Sequence, residues 1–267
     1  MGIPMSGTGN GTRRSGRPVE GEPLLVRAFR ILRAFRTPGE SLTLSLLAAR
    51  AELPKSSTLR IATQLVDVGA LERRNDGRFV MGLRMLELAA VAPRGHGLRS
   101  AALPYMEDLH RVTNQHVQLA VREGNEAVLV ERLSARDAVA VAHRVGGRLP
   151  LDKTGVGIAL LAWAPASVYQ TVLGTDSPGG ASPAHQRRVR DLMARARRDG
   201  VVALTGDNPL GTEPTEVTTI AAPIIDERGQ ALGAISIIQP GGGTGVNVLR
   251  VALRTASLGI ARTVASP

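Results

Sequence analysis

The first sustained hydrophobic rhythm begins after Pro23, where Leu24, Leu25, Ala28, Ile31, Leu32 and Phe35 recur at steps of three and four. Arg27, Arg30, Arg33 and Arg36 take intervening positions, so the pattern predicts an amphipathic helix, which Pro38-Gly39 ends. A second, shorter helix fits Ser45 to Ala51 with Ser45 as its N-cap. A third starts at Leu53-Pro54-Lys55-Ser56-Ser57-Thr58, with Pro at a favoured entry position, and runs to about Val68 before Gly69. Its Leu59, Ala62, Leu65 and Val66 are expected inside, leaving Ser56, Ser57, Arg60, Thr63 and Gln64 on the opposite face. Two short strand-type runs follow, Ala70 to Arg74 and Arg78 to Met81, joined by the hairpin signal Asn75-Asp76-Gly77. Three helices and then an Arg-bearing hairpin is the order of a winged helix-turn-helix.

A helix over Leu83 to Val91 and a break at Pro93-Arg94-Gly95 place a domain boundary near residue 95. Beyond it the pattern reads as a helix from Leu98 to Thr113 and strands at Val117–Val121, Ala127–Arg132 and Val139–Val145. Helices then fit Gly155–Trp163, Ala166–Leu173 and Pro183–Arg198. Strands Thr218–Ile225 and Ala231–Ile238 flank the turn 226–229, and a last helix spans about Val246 to Val264. Strands in blocks flanked by helices give a mixed α/β class, α+β in arrangement. The expected organisation is a disordered leader over 1–22, a winged helix over 23–82, a linker helix over 83–97 and a second domain over 98–267. The leader has almost nothing to bury, and its Arg13, Arg14 and Arg17 form either a groove-seeking arm or a plain basic tail.

Charge supports a polyanionic partner without naming it. The net charge is +10, and residues 1–95 hold 15 Lys/Arg against 8 Asp/Glu, so most of the excess lies in the first third. Lysine occurs only at Lys55 and Lys153, so the argininyl bias also reflects overall composition. With three Phe, two Tyr and one Trp, base stacking on aromatic platforms is nearly unavailable, which leaves duplex DNA read by polar side chains. The candidate DNA contacts are Lys55, Ser56, Ser57, Thr58, Arg60, Thr63 and Gln64 of the third helix, with Arg73, Arg74 and Arg78 of the hairpin. Short hydroxyls beside Arg and Gln reach base edges without blocking entry to the major groove, while Lys55 and the hairpin arginines suit phosphate.

Other chemistries find little support. There is no cysteine, and His96, His110, His116, His143 and His185 show neither metal-ligand nor catalytic spacing, so no metal, no cofactor and no enzymatic activity are expected. The run Gly241-Gly242-Gly243-Thr244-Gly245 departs from a dinucleotide fingerprint at Val246. No apolar run reaches membrane-span length, and a cytoplasmic protein is expected.

Three blocks in register carry a family resemblance: Leu42-Thr43-Leu44-Ser45 through Leu53–Thr58 to Gly77–Gly82; Val145–Leu151 with Thr154-Gly155-Val156-Gly157 and Leu160-Leu161-Ala162; and Ile220-Ala221-Ala222-Pro223 with Gly233-Ala234-Ile235-Ser236. In these the chain resembles the isocitrate lyase regulator (IclR) family. The resemblance implies a winged helix, a linker helix and a GAF-like effector domain that takes a small molecule, often a carboxylate. It also implies a homodimer or homotetramer on a pseudo-palindromic double-stranded operator, usually repressing a nearby catabolic operon. Carried over by motif, the effector pocket includes Thr154, Gly155, Val156 and Thr219, and either Asp207 or Glu213 as a carboxylate. Asp152-Lys153 and Glu216 depart from the family pattern; Lys153 either binds the effector or, the favoured reading, pairs with Asp152. The competing reading is a small-molecule binding module or degenerate enzyme whose winged helix serves dimerisation.

Overall fold

The computed structural model describes residues 22–265 except 92, 137, 140, 142–143, 175–180, 208–215 and 243–244; for 93–96 and 207 it describes the backbone alone. The arginines of the N-terminal segment therefore lie outside the described residues. The chain forms two compact units, dividing between Glu87 and Leu88.

The first unit contains α1 (Leu24–Arg33), α2 (Leu44–Ala51), α3 (Lys55–Asp67), β1 (Leu71–Arg73) and β2 (Phe79–Met81); α4 (Arg84–Ala90) begins in it. Ile31, Leu47, Ile61, Leu71 and Phe79 meet in one core and are at most 1% exposed. Burying each such side chain contributes about 1.5–3 kcal/mol, which is what draws the three helices onto the hairpin. The N-cap of α2 is Thr43, two residues before the expected Ser45, its Oγ1 accepting from the Leu46 N–H at 3.3 Å. It ends at Glu52, whose left-handed backbone (φ 52°) turns the chain into α3. The hairpin pairs Leu71 with Met81 and Arg73 with Phe79, and Gly77 closes the turn at φ 79°.

The second unit is an antiparallel six-stranded sheet between two helical layers. In chain order its elements are α5 (Pro93–Thr113), β3 (His116–Glu123), β4 (Glu126–Leu133), β5 (Arg148–Pro150), α6 (Gly155–Leu161), α7 (Ala166–Leu173), α8 (Pro183–Asp199), β6 (Val202–Asp207), β7 (Glu216–Ile225), β8 (Ala231–Pro240) and α9 (Val246–Ala265). The strand order is β5-β4-β3-β8-β7-β6, and each neighbouring pair is antiparallel. Val117, Leu119, Ile220, Ile235 and Ile237 project onto α5 and α9, whereas Ala120, Ala221 and Ala234 face the side of α6 and α8. Sheets and helices segregated in this way are the α+β arrangement that the pattern predicts.

Two expectations are corrected, and one strand is added. Pro93-Arg94-Gly95, read as a break, opens α5, because a helix's first residue has no use for the N–H that proline lacks. The strand expected over Val139–Val145 does not form among the described residues there, and the edge strand is Arg148–Pro150. β6 had no counterpart in the sequence reading.

Candidate DNA-binding face and effector cavity

The outward face of α3 is set by which of its residues the core takes. Thr58, Ile61 and Ala62 are buried, at 0–1% exposure. Thr58 therefore leaves the candidate DNA contacts: its Oγ1 donates to the Pro54 carbonyl at 3.0 Å, inside the first turn. Leu59, expected inside, is instead 39% exposed. Lys55, Ser56, Arg60, Thr63 and Gln64 are exposed and Ser57 is half-buried. Thr63 donates its hydroxyl proton to the Leu59 carbonyl at 2.9 Å, which leaves its oxygen as an acceptor.

The hairpin arginines differ from one another. Arg73 lies over the Phe79 ring, 5.6 Å from its centroid, an arrangement that stiffens the side chain while its charge stays exposed. Arg78 is drawn back by Asp76, 3.6 Å away, and by the Ser41 carbonyl. Arg74 contributes its N–H to the Arg78 carbonyl in closing the hairpin, and its side chain is exposed.

In the second unit a cavity of about 280 Å³ opens between the sheet and helices α6 and α8. Its walls are apolar, with Leu149, Val156, Ile158, Val189, Leu192 and Leu204 prominent. Lys153, Thr154, Gly155, Val156 and Thr219 all line it. Glu213 and the side chain of Asp207 lie outside the described residues. Thr154 caps α6: its Oγ1 accepts from the Gly157 N–H at 3.1 Å and donates to the Pro150 carbonyl at 2.9 Å. Gly155 permits the helix to rest on β7, since a Cβ there would lie 2.5 Å from Thr219 Cγ2.

At the rim, Asp152 does not take Lys153 as its partner. Its Oδ2 meets His185 Nε2 at 2.8 Å, linking α8 to the turn before α6, and Lys153 remains exposed. Arg188 stands beside them and reaches the Thr205 carbonyl at 3.2 Å. Five polar lining residues escaped the sequence reading: His185, Arg188, Thr205, Gln118 and Ser236. For the last two a signal existed, since each interrupts an otherwise apolar strand run. Among the described residues no group of three or more His, Cys, Asp or Glu is placed to hold a metal ion, and no helix is long and apolar enough to cross a membrane.

Comparison with known proteins accounts for both units. The family described as the IclR helix-turn-helix domain matches residues 24–75, and that described as the bacterial transcriptional regulator IclR C-terminal matches residues 91–245. The chain is 28% identical over 243 residues to the transcriptional repressor AllR of Escherichia coli strain K12, a match covering 85% of this chain and 86% of that protein. To the transcriptional regulator KipR of Bacillus subtilis it is 29% identical over 202 residues, covering 74% and 78%. Among solved structures, an IclR homologue from Microbacterium hydrocarbonoxydans complexed with 4-hydroxybenzoate is similar at 36% identity and a TM-score of 0.77, over 92% of this chain and 100% of that one. The two matched regions occur in one chain, and they fall on a winged helix and on a sheet domain with a lined cavity. The chain thus belongs to the IclR family, whose members are DNA-binding transcription regulators rather than enzymes.

Proposed function

We propose that this regulator is a sequence-specific repressor of a neighbouring catabolic operon, released or tightened on its operator by a small carboxylate bound in the cavity. The observation that carries the reading is the composition of the α3 outward face, where Arg60, Thr63 and Gln64 stand exposed beside Ser56 and Lys55. An argininyl fork pairs with guanine, and a carboxamide with adenine, in the major groove. Exposed Leu59 on the same helix suits a thymine methyl. Arg73 and Arg74 supply phosphate or minor-groove contacts from the wing. AllR, 28% identical to this chain, is a repressor, which supports the same sign here.

A carboxylate effector suits the rim, where Lys153 and Arg188 outnumber Asp152, itself matched with His185. The 36%-identical homologue complexed with 4-hydroxybenzoate supports the same class of ligand, an aromatic acid included. Assembly into a cytoplasmic homodimer or homotetramer is supported by apolar side chains left exposed on helices: Leu25 and Phe29 of α1, Leu86 and Leu88 of α4, Val248 and Val251 of α9. A two-fold assembly reads a pseudo-palindrome. The effector would act by favouring one of two arrangements of the paired winged helices.

The test is binding of the purified chain to its upstream promoter against scrambled duplex, over a salt series. Wild type is expected to prefer the promoter. Arg60→Ala is expected to weaken that binding by about 1–3 kcal/mol, roughly 5- to 150-fold, while changing scrambled-duplex binding little. A wild type with no sequence preference, or promoter affinity identical across a panel of carboxylates, overturns the reading.

A further inference from the structure

The cavity has two polar groups that its walls do not explain. Gln118 of β3 is 2% exposed and Ser236 of β8 is fully buried, yet Gln118 Nε2 and Ser236 Oγ have no hydrogen-bond partner. Both line the cavity, whereas the other unpartnered buried side-chain atoms among the described residues, on Arg27, Gln115, His116 and Gln239, do not. Gln118 and Ser236 are direct partners in the antiparallel register of β3 and β8, on the sheet face that carries Ala120 and Ala234. Directly opposite residues bring their Cβ atoms within about 4.5–5.5 Å, so one small group can meet both side chains. An unpaired buried polar group is costly to the fold, and a partner arriving from outside removes that penalty.

Charge divides the cavity in the complementary way. Its titratable lining residues are Asp152, Lys153, His185 and Arg188, all half-buried or exposed, while the deeply buried pair is neutral. We infer that Gln118 and Ser236 form a polar subsite for a single uncharged oxygen at the end of the effector remote from its carboxylate. The inference rests on the carboxylate reading above and deepens it. Gln118 Nε2–H can only donate, so the ligand atom accepts; a hydroxyl satisfies both residues by accepting from Gln118 and donating to Ser236. The ligand class is a monocarboxylate with an apolar body and a distal hydroxyl or carbonyl. A ligand with an apolar end buries both groups unpaired, and a dicarboxylate desolvates a second charge with no cation beside it.

The test is calorimetric titration of the full chain with two pairs of probes, benzoate against 4-hydroxybenzoate and hexanoate against 6-hydroxyhexanoate. For at least one pair the hydroxylated acid is expected to bind about 10- to 100-fold more tightly. Gln118→Met and, independently, Ser236→Ala are expected to reduce that ratio to about threefold or less. Affinity for the plain acid should not fall, and neither should the ligand-free melting temperature, because each change deletes a buried group that the plain acid leaves unpaired. Equal binding within both pairs, or a ratio unaltered in both variants, overturns the subsite while leaving the carboxylate reading standing. Failure of all four acids to bind overturns both.

Discussion

The contact between α6 and β7 at the cavity wall gives a stringent test of how this unit is packed. A Cβ added at Gly155 would lie 2.5 Å from Thr219 Cγ2, 3.1 Å from Thr219 Cβ and 3.4 Å from Ala221 Cβ. Ordinary carbon contacts sit near 3.5–4.0 Å, so the first approach is about 1 Å too short. Thr219 cannot swing aside freely, because a β-branched side chain has few χ1 wells. Overpacking of this kind costs about 1–3 kcal/mol. Against it, Ala has less unfolded-state freedom to lose, worth about 0.4–1 kcal/mol, and Gly155 is not among the positive-φ residues, so its backbone accepts Ala. Gly155→Ala should therefore destabilise this unit by about 1–2 kcal/mol, which lowers its melting point by roughly 2–8 °C. Thr219→Ser removes the atom at 2.5 Å and forfeits one methyl, about 0.8 kcal/mol. In that background Gly155→Ala should be nearly neutral or stabilising, so the double variant should exceed the additive expectation by about 1 kcal/mol or more. Trp163 is the chain's single tryptophan and packs against the same core, so its fluorescence during denaturation reports this unit and not the winged helix. Costs that add within about 0.3–0.5 kcal/mol would show that the Thr219 methyl is not what excludes a side chain at Gly155.

Two pH-linked outcomes follow from hydrogen bonds made by titrating side chains. His116 donates Nε2–H to the Val139 carbonyl at 2.6 Å; burial, with Arg132 and His110 adding repulsion, holds its pKa below 6.5 despite that bond. The unfolded chain then binds more protons below pH 6.5, so stability present above that pH is lost as pH falls through it towards the folded pKa. His116→Leu should flatten the fall in denaturation midpoint between about pH 6.5 and 5, again followed by Trp163, and an unchanged slope would refute the assignment. In the winged helix, Glu40 accepts the Arg36 N–H at 2.6 Å and Arg50 Nη1 at 2.8 Å, which hold its carboxyl below the usual 4.5. Glu40→Gln should lower the melting temperature of that unit at pH 7, with the difference shrinking as pH falls below about 4.5 and through the folded pKa; a pH-independent difference by circular dichroism would count against it.

How legible each element was depends on how local its cause is. α1 and the hairpin are written in short-range signals, a stripe at steps of three and four and an Asn-Asp-Gly turn, and both formed where the pattern put them. β5 and β6 are not. β5 has three residues and exists because Leu149 sits opposite Ala127 on β4, while Arg148 reaches Glu123 and Glu126. β6 owes its extended form to pairing with β7, from Val202 opposite Ala221 to Asp207 opposite Glu216. Edge strands of this kind take their conformation from a partner far along the chain, which no local window contains. The Asp152–His185 pair has the same character: the neighbour at hand, Lys153, was the natural guess, and the actual partner lies on α8.

The recognition helix shows a different limit, one of register rather than range. Its period was clear, but Leu59, Ala62, Leu65 and Val66 and the set Thr58, Ile61, Ala62 and Leu65 both satisfy steps of three and four. Hydropathy favours the first because threonine carries a hydroxyl. The fold takes the second, because a helical threonine can return its proton to the carbonyl four residues back, here Pro54, and be buried as a small branched residue. That local bond converts the polar residue into a core residue and turns Leu59 outwards beside Arg60. Gln118 and Ser236 are the contrasting case: buried polar groups with no carbonyl or carboxylate to return a proton to. A buried hydroxyl with an internal partner belongs to the scaffold, and a buried amide and hydroxyl left open into a cavity belong to whatever fills it.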